Sequence, residues 1–276
     1  MGYETILLKK EDNIGTIILN RPEVRNAIND RMAHELASAI SDVAHDDKMK
    51  ALIITGAGSA FCGGADFRFR EVRVGEISEE KAEDLSSMFR ETAQGYLLHT
   101  LQEDVILGLQ RLGKASIAMV GGQAVGAGFD LSLACDMRVG SYKARFMVAY
   151  TRMGVVPDGG GTWLLPRVVG LSKALELIFT ADFCDAEEAY RIGILNKLVP
   201  PEKLEETTMD LATRIAKGPP IAHRLSKTLV YKGLEMDLET ALQFLSSAVP
   251  ITIASEDYKE AIRAFAQKRP PAFKGE

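Results

Sequence analysis

The sequence of 276 residues predicts an α/β fold followed by a region that contains only helices. Short apolar runs with the composition of strands lead into glycine-rich loops, and helical periodicity follows the loops. From Pro201 onward the apolar residues recur at helical spacing throughout. We therefore expect an α/β core over residues 1–200 and a helical C-terminal region over residues 201–276.

Local patterns justify the predicted elements in chain order. A first strand covers residues 15–19, and a helix begins after Asn29, a residue type that caps helix N-termini well. Further strands are predicted at residues 51–55 and 116–120, where apolar residues run together. In the C-terminal region, Pro219 and Pro220 begin a new helix, because proline is favoured in a first helical turn.

The segment from Gly121 to Asp136 is the most informative part of the chain. Its small residues lead into an apolar helix, and Asp130 is predicted to lie in the first turn of that helix. Glycines allow close backbone approach to a ligand, and a helix N-terminus offers unpaired N–H groups. These features favour a site for an oxyanion, with a carboxylate beside it that acts as an acid or a base. The alternative is a tight turn in which Asp130 only complements the helix dipole.

Two further glycine-rich segments have a similar character. One follows the predicted strand at residues 51–55 and ends in Gly64-Ala65-Asp66, and the other contains Asp158 just before a predicted helix. The alternative for each segment is a plain turn. Loops that follow buried strands are, however, where α/β proteins place ligands. The loop after residues 51–55 and the loop at residues 121–128 both have this character, so they favour a shared site.

These three segments, in this order, resemble the crotonase superfamily, which comprises enoyl-CoA hydratases and isomerases. The resemblance also includes Asn20-Arg21-Pro22 near the start, residues 186–199 and residues 265–269, so it covers essentially the whole chain. It implies a crotonase-like spiral of ββα units with a C-terminal helical region that trimerises. The expected assembly is a homotrimer or a hexamer built as a dimer of trimers.

The resemblance also implies roles for particular residues. The backbone N–H groups of Ala65 and Ala127 match the two donors that form an oxyanion hole for a CoA thioester. Asp130 matches the first of two glutamates with which the family's hydratases flank the substrate, whereas Tyr150 stands in place of the second. The neighbouring loop residues are expected to contact the acyl-CoA substrate: Gly64, Asp66, Phe67, Arg68, Gly126 and Gly128.

The tyrosine bears on the type of reaction. A tyrosine hydroxyl has an ordinary pKa near 10 and is a poor general base at neutral pH. Asp158 matches an acid that double-bond isomerases of the superfamily place in a similar Pro-Asp context. We therefore expect Asp130 and Asp158 to move protons, with Tyr150 beside them, in the isomerisation of an unsaturated acyl-CoA. Two alternatives stay open: hydration of a dienoyl- or cyclic enoyl-CoA, and acyl-CoA binding without catalysis.

Composition disfavours several other classes of protein. The formal net charge of −5 disfavours nucleic-acid binding, and no apolar run is long enough to span a membrane. The four histidines and three cysteines lack the spacing of a metal site, so we expect no metal and no cofactor beyond the CoA of the substrate. With no targeting segment evident, we expect a cytoplasmic enzyme of fatty-acid or aromatic-acid degradation.

Overall fold

Two β-sheets organise the part of the chain that the computed structural model describes, which comprises residues 2–66 and 97–276. The strands in chain order are β1 (Ile6–Glu11), β2 (Ile14–Leu19), β3 (Ala51–Gly56), β4 (Ala60–Cys62), β5 (Ala115–Val120), β6 (Gln123–Val125), β7 (Met137–Ser141), β8 (Arg145–Met147), β9 (Cys184–Asp185) and β10 (Lys197–Val199). The larger sheet has the order β1-β2-β3-β5-β7-β10, and the smaller has the order β4-β6-β8-β9. In the larger sheet β1 and β2 are antiparallel, and the remaining neighbours are parallel.

Successive turns of the chain contribute one strand to each sheet. β3, β5 and β7 are neighbours in the larger sheet, and the strands that follow them, β4, β6 and β8, are neighbours in the smaller sheet. The connecting loops of successive turns touch, because a Cβ on Gly122 would lie 2.0 Å from the Ser59 carbonyl oxygen. Only glycine allows this approach. The repetition confirms the predicted fold class.

Helices follow the strands and dominate the last quarter of the chain. They are α1 (Asp30–His45), α2 (Leu107–Arg111), α3 (Ala127–Ala134), α4 (Gly161–Val169), α5 (Leu171–Thr180), α6 (Ala186–Arg191), α7 (Leu204–Ala216), α8 (Pro220–Gly233), α9 (Leu238–Ala254) and α10 (Glu256–Ala266). A π-helical segment, Thr100–Ile106, leads directly into α2. A 3-10 helix, Ala149–Met153, precedes α4.

Local sequence determines where several helices begin. The Asn29 side chain accepts a hydrogen bond of 2.9 Å from the Met32 N–H, which confirms the predicted N-cap of α1. Pro220 is the first residue of α8, as its fixed φ predicts. Asp237 caps α9 and accepts a bond of 2.9 Å from the Thr240 N–H.

The larger sheet is buried on both faces. Side chains of β3 alternate between two clusters, so that Leu52 packs in the main core and Ile53 packs in a second, smaller core. The second core also contains Leu204 and Ala212, which shows that α7 covers this face of the sheet. The first helix of the predicted C-terminal region thus completes the α/β core. The division of the chain at residue 200 stays a prediction.

The later helices carry apolar side chains that face outward. Leu238 on α9 is 74% exposed, and Phe265 on α10 is 88% exposed. No residue of α9 is buried. Across the described residues, no helix has both the length and the apolar character that a membrane crossing requires.

Candidate active site

The first loop of the site follows β4 and is held by Ile28. The Ile28 N–H donates to the Gly64 carbonyl at 2.8 Å, and the Asp66 N–H donates to the Ile28 carbonyl at 2.8 Å. These two bonds form a parallel bridge between Ile28 and Ala65. In such a bridge the residue between the two bonded groups directs its own N–H to the opposite side. The Ala65 N–H therefore points away from Ile28.

The second loop ends where α3 begins, and it lies against the first. Gly126 has a φ of 51°, which favours glycine, and Ala127 is the first residue of α3, so its N–H has no partner within the helix. A Cβ on Gly64 would lie 2.9 Å from the Val125 carbonyl oxygen and 3.9 Å from the Ala127 nitrogen. The structure thus brings together the two loops that contain Ala65 and Ala127.

Asp130 lies in the first turn of α3 and is only 1% exposed. The Tyr150 hydroxyl donates a hydrogen bond of 2.6 Å to Oδ2 of this carboxyl group. Burial raises the pKa of Asp130 from 3.8 to about 7. The bond from Tyr150 lowers this pKa, and Coulomb repulsion from Asp158 raises it. At neutral pH such a group can both accept and release a proton.

Two glycines allow the backbone before α4 to reach Asp130. A Cβ on Gly159 would lie 2.6 Å from Oδ2 of Asp130, and a Cβ on Gly161 would lie 2.5 Å from Oδ1. The backbone N–H groups of both glycines act on the carboxyl group and lower its pKa. The turn that carries Asp158 is therefore packed directly against Asp130.

Tyr150 lies in the 3-10 helix Ala149–Met153 and is buried. Burial raises the pKa of its hydroxyl well above 10, and the negative charges of Asp130 and Asp158 act in the same direction. The hydroxyl bonds Oδ2 of Asp130, and Asp158 lies near enough to raise the pKa of the hydroxyl as well. It stays protonated at neutral pH and serves as a donor. The structure places the three predicted side chains together, and their catalytic roles stay predictions.

One contact to Asp158 was not anticipated from the sequence. The side-chain amide of Gln102 donates a hydrogen bond of 2.5 Å to the Asp158 carbonyl oxygen. Gln102 lies 56 residues earlier in the chain, in the π-helical segment Thr100–Ile106. No pattern around Gln102 indicates this contact, because it depends on how the π-helical segment and the turn before α4 pack.

A polar network of Arg21, Asn26 and Asp66 holds the first loop. Asp66 is buried, and its carboxylate pairs with Nη2 of Arg21 at 2.9 Å, while Nη1 of Arg21 donates to the Ala27 carbonyl at 2.6 Å. The buried Asn26 amide donates to the Ala60 carbonyl at 2.9 Å. The Asn-Arg-Pro motif near the start was the available signal for these residues. The predicted contact of Asp66 with substrate stays a prediction.

Cys62 is a packed residue of the same region. Its thiol donates to the Asn26 carbonyl at 3.1 Å, and burial raises its pKa to about 12. A Cβ on Gly128 would lie 2.6 Å from the Cys62 Cβ, so α3 rests directly on β4. A thiol with this pKa stays protonated and is a poor nucleophile. Phe67 and Arg68 lie outside the described residues, and their predicted contacts with substrate stay predictions.

Comparison with known proteins places this geometry in a family. The model of the enoyl-CoA hydratase/isomerase family matches residues 9–276. A short-chain-enoyl-CoA hydratase of Clostridium acetobutylicum is 36% identical over 270 residues, which cover 98% of this chain and 97% of the relative. A 1,2-epoxyphenylacetyl-CoA isomerase of Escherichia coli is 34% identical over 272 residues, which cover 99% of each chain. The crystal structure of an enoyl-CoA hydratase from Bacillus anthracis superposes with a TM-score of 0.88 at 32% identity, and the match covers 99% of this chain and 100% of that one.

Proposed function

Because the chain belongs to the enoyl-CoA hydratase/isomerase family, we propose that it moves a double bond within an unsaturated acyl-CoA. The observation that carries this choice is the hydrogen bond from Tyr150 to Asp130, with Asp158 beside both groups. The site thus has two carboxyl groups and a phenol. This arrangement supports proton transfer between two positions of one substrate.

The thioester carbonyl binds between the N–H groups of Ala65 and Ala127. As a proton leaves the acyl chain, negative charge develops on the thioester oxygen, and the two N–H groups stabilise that charge. Each such donor contributes roughly 3–4 kcal/mol to transition-state stabilisation in well-studied oxyanion holes. Gly64 and Gly126 have positive φ values and carry no side chain that would cover these donors.

Asp130 and Asp158 carry the protons. In the first step a C–H bond of the acyl chain breaks, one carboxylate takes the proton, and the electron pair moves into the thioester carbonyl. In the second step the partner, which starts protonated, delivers its proton to a different carbon, and the carbonyl forms again. A proton then passes from the first carboxyl group to its partner and restores the starting state. Two neighbouring carboxyl groups favour opposite protonation states because their charges repel. The pKa of about 7 suits Asp130 to this exchange.

The loops also bind the CoA part of the substrate in this proposal. The contacts are assigned to Gly64, Asp66, Phe67, Arg68, Gly126 and Gly128. Coenzyme A enters with the substrate, and the mechanism uses no separate cofactor.

Turnover in D₂O tests the reaction. Linear, aromatic-derived and alicyclic enoyl-CoAs are incubated with the enzyme, and the products are analysed by mass spectrometry. We expect a product that contains deuterium and has the heavy atoms of the substrate. A product heavier by one water would establish hydration instead. Binding without turnover across the whole panel would favour the acyl-CoA-binding alternative.

Hydration is the second candidate, and the names of the relatives favour it. The similar proteins from C. acetobutylicum and B. anthracis are both named enoyl-CoA hydratases. Asp130 and Asp158 have the chemistry to position and deprotonate a water. The phenol of Tyr150 argues for isomerisation, because it occupies the space beside Asp130 with a group that stays protonated.

The assembly is proposed to be a homotrimer or a dimer of trimers. The outward-facing apolar side chains on α8, α9 and α10 support this, since Leu238 and Phe265 are among the most exposed large apolar residues. Burying one such side chain contributes about 1.5–3 kcal/mol. Light scattering in dilute solution is expected to give three or six times the mass of one chain. An active monomer would contradict the proposal.

A further inference from the structure

The turn that carries Asp158 is held on two sides. On one side, the backbone at Gly159 and Gly161 packs against the Asp130 carboxyl group, and its N–H groups lower the pKa of that group. On the other side, the Asp158 carbonyl accepts the 2.5 Å bond from the Gln102 amide. The first attachment uses a carboxyl group that titrates near pH 7, and the second uses a neutral side chain.

The element that carries Gln102 is anchored in the main core. Gln102 lies in the π-helical segment Thr100–Ile106, and π-helical turns are rare and occur frequently at functional sites. Val105 and Ile106 of this segment are buried in the main core. The segment also packs on the Asp158 turn itself, because a Cβ on Gly160 would lie 3.5 Å from Cγ2 of Ile106. Gln102 thus reaches the turn from a fixed support.

The two attachments respond differently to proton transfer. Hydrogen bonds to an ionised carboxylate are roughly twice as strong as bonds between neutral groups. When Asp130 takes up a proton, its attraction to the N–H groups of Gly159 and Gly161 therefore weakens. The bond from Gln102 to the Asp158 carbonyl involves no titrating group and keeps its strength. At that moment Gln102 provides an attachment that does not depend on the protonation of Asp130.

We propose that Gln102 is a positioning residue that holds Asp158 in place opposite Asp130 while protons move. This inference rests on the proposed function, since it gives Asp158 a part in proton transfer. It adds that the geometry of the pair depends on a side chain that holds Asp158 through its backbone carbonyl. Misplacement of a reacting group by about 1 Å can cost 10²-fold in rate.

Gln102→Met is the main test, because methionine has nearly the same length and cannot donate a hydrogen bond. We expect kcat to fall about 10- to 100-fold, with KM changed less than about 2-fold. Hydrogen–deuterium exchange of the peptide over residues 155–161 is expected to become faster in the free enzyme. Gln110→Met, the same substitution in α2, serves as the control. It is expected to change neither kcat nor the exchange over residues 155–161.

Gln102→Glu gives a pH-dependent test of the same bond. When ionised, the glutamate presents an acceptor to the Asp158 carbonyl and repels it, so we expect a lower kcat at neutral pH than in Gln102→Met. When protonated, the glutamate can donate the bond again. The ratio of the kcat of Gln102→Glu to that of Gln102→Met is therefore expected to rise as pH falls. A ratio that does not change with pH would contradict the role of the bond.

The outcomes separate this inference from the proposed function. Unchanged exchange over residues 155–161 in Gln102→Met would overturn the inference, whatever the reaction is. Faster exchange with full kcat would also overturn it, because Asp158 would not need the attachment. Faster exchange with reduced kcat supports it, whether the wild-type product proves to be isomerised or hydrated. A wild-type enzyme that only hydrates would contradict the proposed reaction. The hydrogen–deuterium exchange of Gln102→Met would still decide whether Gln102 holds the Asp158 turn.

Discussion

Helices α3 and α9 are both rich in apolar residues, yet they have opposite environments. All eight residues of α3 are buried, whereas none of the 17 residues of α9 is buried. α3 packs between strands of the sheets and the π-helical segment, so neighbouring elements of the same chain cover every face. The apolar side chains of α9 reach the surface.

The difference shows what an apolar helix can be used for. In α3 the apolar surroundings raise the pKa of Asp130 to about 7, which suits this carboxyl group to the proposed proton transfer. In α9 the apolar residues provide surface that association can bury. We therefore expect changes around α3 to alter chemistry without altering assembly, and changes on α9 to alter assembly first.

The largest effect is expected from Asp158→Asn. The amide keeps the shape of the side chain but cannot take a proton, so kcat is expected to fall about 10²- to 10⁴-fold with little change in KM. Tyr150→Phe is expected to be much milder, since a hydroxyl that only orients its neighbours contributes roughly 0.5–1.5 kcal/mol. Steady-state kinetics of both variants are the measurement. Equal damage from the two substitutions would bring Tyr150 into the proton path.

Ala127→Pro removes one N–H group from the first turn of α3. Proline is tolerated at the first position of a helix, so the fold is expected to persist and to be verified by circular dichroism. We expect kcat to fall at least about 10²-fold through the loss of an oxyanion donor. Ala127→Gly retains the N–H and is the matched control, with most of the activity kept. A folded Ala127→Pro variant with full activity would refute the oxyanion role.

The buried carboxyl group also makes stability depend on pH. Because the folded pKa of Asp130 is about 7 and its ordinary value is 3.8, the folded chain holds a proton that the unfolded chain has lost between these values. The wild type should therefore lose stability relative to Asp130→Asn as pH rises through this window, by at most about 1.4 kcal/mol per pH unit. Urea unfolding of both proteins from pH 4 to 8 measures this. Parallel stability curves would show that Asp130 has an ordinary pKa.

The smallest effect on the folded chain is expected from Leu242→Gln on α9. Leu242 is 51% exposed, so its replacement should change the free energy of unfolding of one chain by less than about 0.5 kcal/mol. The assembly, however, should dissociate at a higher protein concentration, as measured by sedimentation or light scattering. Glu239→Gln on the same helix is the control. If both variants dissociate like the wild type, α9 does not contribute to association.

Much of the fold was predictable from local patterns. The strand at residues 15–19, the cap at Asn29 and the helix start at Pro220 all appear in the structure where the sequence indicated them. These features depend on residues a few positions apart, so the sequence alone predicts them. The role of α7 was not predictable, because its apolar periodicity does not reveal which face of which sheet it covers.

The candidate site was likewise predictable only in part. The glycine-rich loops and the position of Asp130 in a first helical turn follow from sequence, because φ preferences and helix starts are local properties. The bond from Tyr150 joins residues 20 positions apart, and the bond from Gln102 joins residues 56 positions apart. Only the packed chain brings these groups within 3 Å and removes water from Asp130. Sequence alone therefore indicated which residues could do the chemistry. Tertiary structure decided the pKa of Asp130 and the contact through which Gln102 holds Asp158, because both depend on burial and on residues distant in the chain.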